Sequence, residues 1–154
     1  MLFDVLGQWC EGMRVLDLFA GTGALAFEAL SRGATHAVLV DSGREAQALC
    51  EQNAEALGFK EQAEIFRANA FVAIDRLRKK GEKFALIFAD PPYALEAGAK
   101  LAEALGDGAL LTPGARVCIE HDRREEVPEA AGQLRRIDQR QLGDTVISIY
   151  AGAA

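Results

Sequence analysis

Cysteine and histidine are scarce in this chain, and each scarcity excludes something. Three cysteines and two histidines occur among 154 residues. Cys10, Cys50 and Cys118 are odd in number, lie far apart and form no C-x-x-C pair, which argues against a disulfide framework or a zinc site. Buried free thiols are the expectation. His36 and His121 stand alone, whereas structural zinc takes about four clustered ligands, so no metal is expected. No apolar run is long enough to span a bilayer, and no basic region followed by an apolar stretch opens the chain. A cytoplasmic protein away from membranes, monomeric by preference, is the expectation. Positive charge is also short. Seventeen Lys and Arg face 23 Asp and Glu, for a net charge of −6. That runs against a nucleic-acid partner, because phosphate contacts supply much of such affinity.

What is present is globular. Half of the residues are hydrophobic and 26% are charged, and the length suits one domain over residues 1–154. Short apolar runs alternate with helical patterns. A helix is expected from near Leu2, then strands at 14–20, 36–40, 63–66, 84–89 and 115–120. Helices are expected at 24–32, after Ser42, after Asn69 and at 96–105. Ser42 and Glu45 have capping-box spacing. Ala46, Leu49, Cys50, Ala54 and Leu57 form one apolar stripe, and Gly58 sits where a C-terminal glycine cap belongs. Alternating strands and helices predict an α/β fold, a doubly wound and mostly parallel sheet. The last two strands, 133–140 and 145–150, leave no room for a helix between them and predict an antiparallel hairpin at one edge.

Two stretches carry chemistry. The first is Asp17-Leu-Phe19-Ala20-Gly21-Thr-Gly23, at a strand-to-helix junction. Gly21 and Gly23 allow a tight turn and close approach of backbone to a ligand. Asp41 ends the next strand, where a carboxylate can accept hydrogen bonds from ribose hydroxyls. Taken alone, Gly21-x-Gly23-x-x-Ala26 also fits the dinucleotide fingerprint of NAD enzymes. Asp17 tips the choice, since a carboxylate sits poorly beside a pyrophosphate but well beside the cationic end of S-adenosylmethionine.

The second stretch is Phe84-Ala-Leu-Ile-Phe-Ala-Asp90-Pro91-Pro92-Tyr93, a buried strand ending in D-P-P-Y. Ligands of such sheets lie beyond the carboxyl ends of the strands, so Asp90 and Tyr93 should face the same crevice as Gly21 and Asp41. An exocyclic base amine is a poor nucleophile, and its hydrogens become more acidic as it attacks a methyl group. Asp90 and the Pro91 carbonyl can each accept one N–H, contacts that strengthen in the transition state. Pro91 and Pro92 hold both acceptors in extended backbone. Tyr93 offers a face for a flipped base.

The sequence resembles the bacterial small-subunit ribosomal RNA guanine-N2 methyltransferase family, the RsmD type, from about Leu2 to Tyr150. The most specific match is Val15 to Ala34, where Thr22 replaces the family's usual serine; Asp90 to Tyr93 and Gly143 to Tyr150 match two further motifs. The resemblance implies a class I methyltransferase fold with strand order 3-2-1-4-5-7-6, S-adenosylmethionine as methyl donor, and a guanine of ribosomal RNA, or of the assembling small subunit, as acceptor. It implies catalytic roles for Asp90, Pro91, Pro92 and Tyr93. It assigns Asp17, Phe19, Ala20, Gly21, Gly23, Asp41, Ser42, Asn69 and Ala70 to the cofactor. Asn69 is equally well explained as a helix N-cap. The family's basic leading segment, with its R-P-T motif, has no counterpart here, which leads one to expect weakened RNA docking. Arg123-Arg124 and Arg135-Arg136 are candidates for an RNA path. The cluster from Arg76 to Lys83 is better explained as a solvated helix end. Three other readings are weighed: an adenine amine methyltransferase on DNA or RNA, a cofactor-binding subunit that does not catalyse, and an NAD-dependent dehydrogenase.

Overall fold

A computed structural model describes residues 10–92 and 96–154. The helix expected near Leu2, and Tyr93, lie outside the described residues. Strands β1 (Arg14–Leu18), β2 (His36–Asp41), β3 (Ala63–Arg67), β4 (Phe84–Ala89) and β5 (Leu111–Asp122) alternate with helices α1 (Ala24–Ser31), α2 (Arg44–Leu57), α3 (Ala70–Lys79) and α4 (Ala97–Leu105). Strands β6 (Ala130–Ala131), β7 (Leu134–Leu142) and β8 (Thr145–Ala151) complete the sheet. The order is β3-β2-β1-β4-β5-β8-β7-β6. The first five positions are parallel, and β8 and β7 are antiparallel additions. This is the expected order once the two-residue β6 is set aside. That strand was missed because two residues leave no periodic signal.

Parallel strands covered on both faces read as continuous apolar runs. Here the alternation of side chains along each strand divides the core in two. Leu16, Leu18, Val38 and Val40 point to the layer holding Ile74 and Leu77 of α3 and Leu101 and Leu105 of α4. Val15, Ala37, Leu39 and Phe88 point to the layer holding Phe27 and Leu30 of α1 and Cys50 and Ala54 of α2. Asp17 lies two residues after Val15, so it shares the α1 side. There it accepts a hydrogen bond from the Ala26 backbone.

Two local expectations are corrected. The Ser42–Glu45 capping box does not form. Gly43, in extended backbone, occupies the N-cap of α2 with no side-chain cap, and its N–H is donated to Asp41 Oδ1 at 2.8 Å. The strand-end carboxylate ties down the residue before the helix, and Gly43 rather than Ser42 becomes the N-cap. The α2 stripe is also narrower than its periodicity suggests. Cys50 and Ala54 are buried, whereas Leu49 and Leu57 are 43% and 57% exposed because they lie at the margin of the covered face. Gly58 does cap the helix, with φ +77°. All three cysteines are free and buried. Among the described residues no helix is long and apolar enough to cross a membrane.

Candidate active site

The chain leaves β1 through a turn that only special backbone can make. Phe19 has φ +64°, Gly21 +60° and Gly23 +84°. A left-handed Phe is a strained conformation, and surrounding structure must hold it. Ala20 N–H is donated to Val40 O at 2.9 Å, and Gly23 N–H to Ala20 O at 2.8 Å. From outside, Cys50 donates to Gly21 O at 3.2 Å and Asn53 to Thr22 O at 2.9 Å. The two glycines differ. A Cβ on Gly23 would lie 2.4 Å from Phe27 Cε2, so packing as well as φ excludes a side chain. A Cβ on Gly21 would meet nothing within 4 Å among the described residues. Gly21 therefore leaves open space over the loop, as a backbone that a ligand approaches must.

Asp41 joins the loop to β2. Its Oδ2 accepts Gly21 N–H at 3.0 Å and its Oδ1 accepts Gly43 N–H. Each carboxylate oxygen keeps a second lone pair, so a ribose hydroxyl remains within its capacity.

Asp17 sits beneath. It is 2% exposed, and its Oδ2 has no hydrogen-bond partner among the described residues. Burial pushes its carboxyl up to about 7; the Ala26 N–H opposes this, and the charges of Asp90 and Asp41 add to it. An orphaned carboxylate oxygen flanked by two further acids is an arrangement that a cation relieves. The residues present thus fit the ammonium and sulfonium of S-adenosylmethionine and would repel a pyrophosphate.

Asp90 leaves the carboxyl end of β4 and is solvent-exposed, with Pro91 half-buried behind it. A cleft of about 620 Å³ brings together Phe19, Asp41, Ser42, Asp90, Pro91 and Pro92. Asp17, Ala20, Gly21 and Gly23 support this cleft without lining it. Asn69 and Ala70 do not line it either. Asn69 Oδ1 accepts Phe71 N–H at 2.8 Å, the N-cap role, and Ala70 is buried. Their segment still abuts the site, since Ala68 N–H is donated to Asp41 O at 3.0 Å.

Of the far wall, the sequence singles out only Arg124, as a candidate for an RNA path. Glu120, His121, Arg124 and Glu125 also line the cleft. Glu120 is half-buried beside Asp90; burial, then hydrogen bonding to Asp90, raise its carboxyl to about 7. His121 bonds Ser148 Oγ and the Asp122 carbonyl. Glu125 accepts the N–H groups of Gly98 and Ala99, anchoring the start of α4. No motif marks the two glutamates. Their only signal is that β5 neighbours β4, which places its last residues next to Asp90. Three of the four arginines proposed for an RNA path are ion-paired: Arg123 with Asp144, Arg124 with Asp122 and Arg136 with Glu129. Such exposed pairs are weak and exchange readily. Arg78, from the other basic cluster, is held by Asp75, Asp107 and the Ala104 carbonyl, in keeping with a structural helix end. Among the described residues no group of three His, Cys, Asp or Glu side chains could hold a metal.

The sheet order, the closing antiparallel pair and the site at the carboxyl ends of β1, β2 and β4 define a class I methyltransferase fold. The structure superposes with a TM-score of 0.85 on yhhF from Escherichia coli, described as a candidate methyltransferase, at 27% identity, covering 99% of this chain and 82% of that one. Residues 1–151 match the family described as conserved hypothetical protein 95, and the chain belongs to that family. It is 34% identical over 149 residues to YlbH of Bacillus subtilis (strain 168), described as a candidate rRNA methyltransferase, covering 97% of this chain and 81% of that one. A 98-residue stretch is 39% identical to ribosomal RNA large subunit methyltransferase I of Serratia proteamaculans (strain 568). That match takes 63% of this chain, which spans only 25% of the relative.

Proposed function

We propose that residues 1–154 form one S-adenosylmethionine-dependent rRNA methyltransferase domain, and that its acceptor is the exocyclic amine of a guanine in small-subunit rRNA. The observation that carries this reading is the shared cleft. Asp90 and Pro91 stand at the carboxyl end of β4, across from Asp41 and the glycine turn. When bound, S-adenosylmethionine supplies an electrophilic methyl group. Asp41 accepts from the ribose, Gly21 gives the backbone clearance, and Asp17 sets a negative charge under the cationic end. Ser42 and Phe19 border the same pocket. Asp90 accepts one N–H of the amine and the Pro91 carbonyl the other. Both hydrogen bonds strengthen as positive charge builds on nitrogen, which lowers the barrier. Pro92 fixes the turn, and Tyr93 stacks on the base. A cytoplasmic site of action follows from the substrate.

The test is nucleoside mass spectrometry of small- and large-subunit rRNA from cells with and without the gene. The expected result is loss of N2-methylguanosine from the small-subunit RNA. A second reading, a guanine of large-subunit rRNA, is favoured by the name of the Serratia relative, and loss of the same nucleoside from that RNA would select it. Loss of N6-methyladenosine, or of nothing, would overturn the guanine assignment.

A further inference from the structure

The mechanism above gives Glu120 no work, yet Glu120 lies within side-chain hydrogen-bonding reach of Asp90. Strands β4 and β5 are adjacent and parallel, with Ala89 opposite Ile119. The next residues, Asp90 and Glu120, therefore leave the sheet side by side at its carboxyl edge. Both line the cleft, with their carboxyl groups within hydrogen-bonding reach of each other. The charged neighbours are committed elsewhere. Arg124 forks onto Asp122, and His121 is turned to Ser148 and the Asp122 carbonyl. Among the described residues, no Lys or Arg is ion-paired with Glu120.

Two adjacent acceptors without a cation suit a ligand that offers two adjacent N–H donors. Guanine offers N1–H and N2–H along one edge. Adenine offers its amine next to the N1 lone pair, which would face a carboxylate. We propose that Glu120 selects guanine, its carboxylate accepting N1–H of the base while Asp90 accepts one N2–H. This rests on the methyltransferase reading above. The raised Glu120 carboxyl fits it. Beside Asp90 the Glu120 carboxyl takes up a proton more readily than a free one, and that proton leaves to solvent when N1–H of the base replaces it. Acceptors that a bound base covers without offering the matching donor are a strong source of discrimination.

The experiment uses short hairpins centred on the guanosine that the wild-type chain methylates, carrying either guanosine or 2-aminopurine ribonucleoside there. The latter keeps the amine and lacks N1–H. kcat/KM is measured for wild type, Glu120→Gln and Glu120→Ala, together with the Kd of S-adenosylmethionine. Comparing preferences between variants cancels the intrinsic difference in amine reactivity. We expect the guanosine preference of the wild type to fall by about tenfold or more in Glu120→Ala, the size of one hydrogen bond to a charged group. Glu120→Gln, whose amide oxygen still accepts, should keep part of it. Cofactor Kd should move less than about threefold in both, since the proposed contact is to the base alone. If Glu120→Ala keeps the wild-type preference while N2-methylguanosine is made, the assignment of Glu120 is wrong and the function stands. If the wild type makes no N2-methylguanosine, the functional reading falls, and Glu120 with it.

Discussion

The two sides of the cleft are built differently. On the β1–β2 side the turn that faces the ligand is backbone, locked by hydrogen bonds to the Asp41 carboxylate and from Cys50 and Asn53. On the β4–β5 side the ligand-facing groups are ionisable side chains, Asp90 and Glu120, which lie within hydrogen-bonding reach of each other. The first arrangement suits a ligand that is the same in every turnover. The second suits a reacting group whose charge changes during the reaction, because only there does an uncommitted acceptor gain strength in the transition state. Two acids stand apart on the first side: Asp41, already committed to the Gly21 and Gly43 N–H groups, and Asp17, a buried acid with an oxygen left over.

The sharpest way to break this comparison is to remove Asp90. Asp90→Ala should lower the methylation rate by a factor of about a hundred or more while cofactor binding stays close to wild type. One preorganised acceptor of developing charge is worth about 2.7–4 kcal/mol. Single-turnover rates with calorimetry of the same protein separate the two effects, and near wild-type methylation would move the chemistry elsewhere.

Asp41→Ala should do the reverse. A charge-assisted hydrogen bond is worth about 1.5–3 kcal/mol, so binding of S-adenosylmethionine should weaken by roughly ten- to a hundredfold. The chemical step should suffer less. The structure adds a second expectation. The carboxylate also holds Gly21 and Gly43, so the free protein should melt at a lower temperature. An unchanged Kd would take Asp41 out of the cofactor site.

Asp17 gives a pH signature. Its carboxyl is raised in the fold to about 7 from an ordinary 3.8, so between those values the folded state binds more protons than the unfolded chain. Stability of the free protein should then be highest at the acid end of this window and fall as pH rises towards 7. The Asp17 contribution should be of the order of 2 kcal/mol after relaxation. Glu120 is raised in the same direction and adds to the slope. Asp17→Asn should flatten the curve and raise the melting temperature at pH 8 while weakening cofactor binding, a stability–function trade. A wild-type melting temperature that climbs steadily from pH 5 to 8 would contradict the assignment.

What could be read in the sequence divides along the same line. Backbone devices leave residue-type signatures: Gly21 and Gly23 at the turn, Asp41 at the strand end, Asn69 before a helix, an apolar run before D-P-P. All were legible. Side chains that act by adjacency leave none. Glu120 and Glu125 matter because β5 lies beside β4 and because the chain after β5 returns to the start of α4. That proximity is a property of the sheet and not of any local pattern. The capping box failed for a related reason. Ser42 and Glu45 have the right spacing, but Asp41 holds Gly43 N–H, and the helix starts one residue later, with Gly43 as its N-cap.

Asn69 tests where the two sides meet, and it should give the smallest effect. Its side chain is spent on Phe71 N–H, and it does not line the cleft, yet Ala68 beside it is bonded to Asp41. If it serves chiefly as the cap of α3, Asn69→Ala should cost about 1 kcal/mol of stability, the usual worth of an N-cap. Asn69→Ser, which keeps a cap, should recover most of that. Cofactor Kd should change less than about threefold in either, because a cap lost at the edge of the site perturbs the ligand only through the backbone of the Ala68–Ala70 segment. The opposite pattern, with Kd weakened about tenfold and melting unchanged, would mean that the Asn69 amide is a direct cofactor contact. The β3–α3 junction would then join the ligand-binding frame, and the division between backbone and side-chain recognition would need a third wall made of both.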